Sequence, residues 1–117
     1  MTIESYDEHI GGVLNLINLA FESPRTKPAS FFFSSSISAM QGTSFDGECP
    51  EEFSTSPSTA AGTGYAQSKW TTEKLCQRAA DHGRVSGFRV GVLRIGQMVG
   101  DSVKCILSSL VSTLARD

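Results

Sequence analysis

No stretch of this sequence is apolar for the roughly 20 residues needed to span a bilayer, and its start, MTIESYDEHI, has no apolar core of the kind a secretory signal carries. A soluble, cytoplasmic protein with no membrane partner is expected. Nor do the basic residues cluster: ten lysines and arginines against twelve acidic residues leave a net charge of -2 and no patch that could track a phosphate backbone, so nucleic acid is not an expected partner. Cysteine is scarce and odd in number. Cys49, Cys76 and Cys105 are too widely spaced for paired metal ligands and fit no disulfide framework, and with His9 and His82 equally isolated no metal is expected. At 117 residues the chain is long enough for one modest domain with a core of its own.

What is present has a clear order. Between Tyr6 and Phe21 the apolar residues Ile10, Val13, Leu14, Ile17 and Ala20 recur at helical spacing, and Ser23 and Pro24 then predict a stop. Residues 31–33, FFF, form a short apolar run of the kind found in strands buried on both faces, ending in Ser34, Ser35 and Ser36. Residues 41–64 are rich in Gly, Ser, Thr and Pro without a period and predict a long loop. A helix is predicted from Tyr65 to His82 with Gly83 as its left-handed terminator, then a strand over residues 88–95. Val103, Ile106, Leu107, Leu110, Val111 and Leu114 predict a closing amphipathic helix. Strand, helix, strand is a β-α-β unit with parallel strands, which points to the doubly wound α/β class. Two strands are few for a complete fold of that class, so the sequence reads as part of a larger one.

The stretch GYAQSKW, residues 64–70, sets Tyr65 and Lys69 four apart, on one helix face, where an ammonium can lie beside the phenol and ease its proton exchange. Alone, that spacing is weak evidence. Parallel sheets, however, bind ligands outside the carboxyl ends of their strands, where the serine run falls and where the tyrosine helix begins. A serine hydroxyl there could donate a hydrogen bond to a carbonyl oxygen gaining negative charge, while the tyrosine supplies a proton.

FFFSSSISAM, GYAQSKWTTEKL and VLRIGQMVGDS, in that order, resemble the second half of the cofactor domain of the extended short-chain dehydrogenases/reductases over about residues 5–102. Within them the sequence looks most like the thioester reductase domains of fungal nonribosomal-peptide-synthetase-like and polyketide enzymes and of the aminoadipate and carboxylic acid reductases. The resemblance implies a partial Rossmann-like fold of about two parallel strands with three helices. It also implies hydride transfer from NADPH to a carrier-bound acyl thioester, releasing an aldehyde or an alcohol. Matched residue by residue, Ser36 takes the catalytic hydroxyl position, Tyr65 the proton donor, and Lys69 the residue that binds the nicotinamide ribose. Ser34 and Ser35 would lie along the cofactor, and Ile95, Gly96 and Gln97 would line the nicotinamide pocket.

The departures carry expectations too. His9 stands where many relatives have asparagine, and Ile95 where they have proline. No GxxGxxG turn occurs anywhere in the sequence, so the stretch reads as an internal fragment that alone binds NADPH weakly or not at all and associates with itself or another chain. A nucleotide-sugar epimerase or dehydratase shares the serine, tyrosine and lysine and is the runner-up enzyme. A remnant without catalysis, active only by association, is the alternative outside enzymes. Trp70 and Glu73 are expected in the core and on the helix surface respectively.

Overall fold

A computed structural model describes residues 2–23, 26–42, 49–101 and 106–116. The first apolar stripe winds as helix α1, Asp7–Phe21, entered through a 3-10 turn over Ile3–Tyr6. Asp7 and Glu8 in its first turn complement the positive end of the helix dipole. Ile17 is its buried residue, with Val13, Ala20 and Phe21 packed alongside. The helix ends at Phe21; Pro24 lies outside the described residues.

Strand β1, Phe31–Ser36, is longer than the phenylalanine run, because all three serines continue it. Its faces alternate. Phe33 and Ser35 are buried, whereas Ser34 is exposed and Phe32 is 65% exposed, so the expectation of burial on both faces is corrected to one packed face and one open one. Helix α2, Gly64–Gly83, covers the packed face, and strand β2, Val90–Asp101, runs parallel to β1 in a register from Phe31↔Val90 to Ser36↔Ile95. The β-α-β unit predicted from the sequence is therefore present. Between its layers Ile17, Phe33, Cys76, Ala80, Phe88, Val90 and Val92 form the core. A fully buried valine such as Val92 contributes about 1.5–3 kcal/mol.

Two expectations about chain ends are corrected. Gly83 is not a left-handed terminator: it is the buried last residue of α2, pressed on Phe88, and the glycine with positive φ is Gly87, at 79°, in the turn that follows. The closing segment is not a helix over its described part. Ile106–Arg116 is strand β3, antiparallel to β2, giving the sheet order β1-β2-β3 with a register shift between Ile95 and Met98. Its apolar spacing suits a helix, but Ile106, Val111 and Thr113 suit a strand equally, and the second edge of β2 offers a row of unpaired backbone groups. Pairing with that edge wins over local period. Val103 and Cys105 lie outside the described residues.

The predicted long loop is folded back on itself. The Gly42 N–H donates to the Thr59 carbonyl at 2.7 Å and the Ala61 N–H to the Ser38 carbonyl at 2.9 Å, which ties the exit from β1 to the approach to α2. Gly42 has no room for a side chain there, since a Cβ would collide with the backbone carbonyls of Ser58 and Ala60. Gly42→Ala is expected to destabilise the fold by about 1–3 kcal/mol in chemical denaturation; an unchanged midpoint would show that the tie is loose.

Burial also acts on Cys76. Its thiol is pushed up from 9.0 to about 12, first by desolvation and then by the charge of Glu73. The folded chain thus keeps this proton where the unfolded chain has lost it, so the contribution to stability is complete below about pH 9 and is lost as pH rises toward 12. Alkylation followed by peptide mapping at pH 8 is expected to label the exposed Cys49 quickly and Cys76 only as the chain unfolds. Equal rates would contradict the burial.

Candidate active site

Tyr65 stands in the first turn of α2, whose start is fixed by Thr63: its side-chain oxygen accepts from the Ala66 N–H at 3.2 Å. One turn on is Lys69. Both side chains line a cleft of about 280 Å³ between the start of α1 and the packed face of the sheet, together with Tyr6, His9, Val13, Phe33 and Thr72. Tyr65 is 42% exposed, enough for its phenol to meet a small molecule in the cleft. The Tyr6 ring meets it edge-on, with centroids 6.1 Å apart at 63°, and lies 6.0 Å from the exposed His9 ring. Residues from three elements far apart in sequence thus converge on one opening.

The ammonium of Lys69 is held. It donates to the Ser34 carbonyl at 2.8 Å and lies 5.0 Å from the Phe33 ring centroid and 5.6 Å from that of Tyr65. An ammonium carries three donors, so two are left for a ligand beside the phenol.

The serines divide by face, as strand alternation demands. Ser35 turns inward and donates to Glu73 Oε1 at 2.6 Å. Ser34 contributes its carbonyl to Lys69 while its side chain is on the open face. Ser36 ends the strand and caps the next 3-10 turn, Ile37–Ala39; its Oγ accepts from the Ser38 N–H at 3.3 Å and from the Ser38 hydroxyl at 3.0 Å. With those lone pairs engaged, its own proton is left for an outside acceptor. Ser36 is not among the residues lining the Tyr65 cleft, but lies at the same carboxyl edge of the sheet. Ile95 pairs with Ser36 on β2, while Gly96 and Gln97 fall in the register shift and Gln97 is exposed. Nothing in the geometry brings these last two to the cleft.

Glu73 corrects the sequence reading most sharply. It is 2% exposed, not on the helix surface, and both its oxygens face Arg94, itself 1% exposed, at 2.7 Å to Nη2 and 3.0 and 3.3 Å to Nε. A signal for it existed. Tyr65, Lys69 and Glu73 stand at i, i+4 and i+8, so a helix that faces the sheet with the first two faces it with the third. Trp70, by contrast, is partly buried, beside Lys74. Among the described residues no helix is long and apolar enough to cross a membrane, and no cluster of three metal-ligating side chains occurs.

A β-α-β unit with a cleft at the carboxyl edge of its parallel strands places the chain in the α/β class. The chain belongs to the NAD-binding family described as male sterility protein, whose pattern it matches over residues 4–114. It is 35% identical over 102 residues to the adenylate-forming reductase Nps11 of Serpula lacrymans var. lacrymans (strain S7.9), covering 86% of this chain and 9% of that protein. To the adenylate-forming reductase Nps9 of the same fungus it is 31% identical over 101 residues, with the same shares. To the carboxylic acid reductase of Neurospora crassa it is 30% identical over 102 residues, covering 87% of this chain and again 9% of the relative. The chain therefore spans less than a tenth of the length of these relatives.

The family implies a nicotinamide cofactor, and the cleft fits one end of it. Tyr65 and the two remaining donors of Lys69 suit the hydroxyls of a ribose beside the nicotinamide. The diphosphate in this class is held by a glycine-rich turn at a helix terminus, and the sequence contains no GxxGxxG. Among the described residues, those of the cleft suit the reactive end.

Proposed function

We propose that the chain is the catalytic-helix portion of a reductase that converts a carrier-bound acyl thioester to an aldehyde at the expense of NADPH. The observation that carries this reading is the held Lys69 beside the exposed Tyr65 phenol in one cleft at the carboxyl edge of the sheet. Its support from relatives lies in their names, adenylate-forming reductase and carboxylic acid reductase, which favour it over a sugar epimerase or dehydratase.

In this reading Lys69 binds the ribose, with Ser34 and Ile95 at the carboxyl edge beside the cofactor; Ser35, buried on Glu73, and Gly96 and Gln97, outside the cleft, are not assigned to it. Bound NADPH would supply the hydride. Ser36 donates a hydrogen bond to the thioester oxygen as charge gathers there, and Tyr65 passes that oxygen its proton. The resulting hemithioacetal loses the same proton as its C–S bond breaks, the proton passing to the departing thiolate, so an aldehyde and a free carrier thiol remain.

The test is a graft of residues 5–102 into a complete relative. The graft is expected to form aldehyde from a carrier-bound acyl thioester with NADPH. A folded graft that binds NADPH and leaves the thioester intact would overturn the reading.

One observation favours a second role, association with another chain: among the described residues β1 is an edge strand, and Phe32 within it is 65% exposed. Light scattering that finds only monomers up to about 100 μM would remove it.

A further inference from the structure

Two consecutive residues of the serine strand are tied to two successive turns of α2. The Ser34 carbonyl receives Lys69, and the Ser35 hydroxyl reaches Glu73 one turn below. Beside Ser35 in the parallel register lies Arg94, whose guanidinium takes both Glu73 oxygens. Its remaining N–H groups go outward: Nη1 donates to the Pro50 carbonyl at 3.3 Å and Nη2 to the Glu52 carbonyl at 3.0 Å. One buried ion pair thus gathers β1, α2, β2 and the chain segment that leads toward Tyr65.

The outward reach distinguishes this pair from packing. Well-packed apolar residues commonly replace a buried ion pair without loss of stability, yet no apolar side chain can hold two backbone carbonyls. The planar fork of arginine serves a carboxylate and two carbonyls at once, which a single ammonium cannot. From Glu52 the chain enters a mesh of short polar contacts, with Thr59 Oγ1 donating to Ser54 Oγ at 2.7 Å and to the Ser56 carbonyl at 2.8 Å, and so reaches the Thr63 cap. Tyr65 is therefore approached from two sides: by its own helix, set against the strand through Glu73, and by the lead-in segment, held through Arg94.

We infer that Glu73 and Arg94 are positioning residues that set the height of α2 on the serine strand and anchor the 50–52 backbone, and through both they place Tyr65 at the cleft. The catalytic consequence rests on the reductase reading; the anchoring does not.

The experiment uses the whole 117-residue chain and needs neither cofactor nor thioester. Glutamyl endopeptidase probes the exposed Glu51 and Glu52, and trypsin probes the exposed Arg84 after α2 as a remote control. Glu73→Gln/Arg94→Gln removes both charges at once and leaves no orphaned ion. It is expected to melt within about 5 °C of the parent. It should nevertheless be cut after Glu51 and Glu52 about tenfold faster or more, with cleavage at Arg84 unchanged. The ring resonances of Tyr65, told from those of Tyr6 by a Tyr6→Phe reference, should move. Arg94→Lys, which keeps the charge but not the fork, is expected to do the same and keeps the test decisive where the double variant does not fold. Parental cleavage and an unmoved Tyr65 in either folded variant would overturn the inference, as would equal acceleration at Arg84, which would mean general loosening. Because a graft can fail to make aldehyde while these readouts hold, or the reverse, failure of the anchoring and failure of the reductase reading remain distinguishable.

Discussion

Aldehyde formation by the grafted reductase is expected to fall about 100-fold to 10,000-fold when Tyr65 becomes phenylalanine, the range lost with a general acid. The substitution is narrow. Phenylalanine keeps the ring, its edge contact with Tyr6 and its place above the Lys69 ammonium, so the hydroxyl alone is removed. Because Tyr65 is 42% exposed, losing that oxygen orphans no buried partner and should leave stability nearly intact. The loss should therefore appear in kcat, with KM for the thioester little changed, in single-turnover measurements of aldehyde release. Unchanged turnover would show that the proton comes from elsewhere and would remove the tyrosine from the mechanism.

Glu73→Leu is expected to be the most damaging single substitution to stability, at about 3–5 kcal/mol. Arg94 would be left as a guanidinium 1% exposed, with its counter-charge gone and only two carbonyls in compensation. Against a total of about 5–15 kcal/mol for a domain, that brings a small chain close to unfolding at ambient temperature. Adding Arg94→Leu should restore most of the loss, because the pair then leaves as a unit. Denaturant titration of the single and double variants measures both. A loss under about 1 kcal/mol in the single variant is the behaviour of a solvated pair and would mean that water reaches Arg94.

Much of this molecule could be read before its structure, for identifiable reasons. The parallel pairing of β1 with β2 through α2 followed from local signals that agree with one another, namely an apolar run, a helical stripe and a second apolar run. Tyr65 and Lys69 were legible because their spacing is itself the geometry: four residues on a helix is one face. Ser35 and Arg94 were not, since their adjacency exists only once the strand register is fixed, and no spacing along the chain encodes it. Glu73 was misplaced because a lone glutamate in a helix is usually solvated, and only a buried partner 21 residues away reverses that preference. The last strand was missed for a different reason. Residues 106–116 carry a pattern compatible with two periods, and the choice between them was made by the open edge of β2. Ser36 remains the residue whose role rests most on resemblance, since the structure gives it a hydrogen-bonding arrangement suited to donation but not a place in the Tyr65 cleft.

The two backbone hydrogen bonds that fasten Gly42 to Thr59 and Ala61 to Ser38 act as the clasp of a hoop. Within the hoop the Pro50 and Glu52 carbonyls are pinned a second time by Arg94, so the connection is fastened in its course as well as at its ends. Ser36 and Tyr65 lie just outside the two fastened ends, one at the exit from β1 and the other at the entry to α2. A frame of this kind fixes where the two ends of the connection stand, whatever side chains the connection carries.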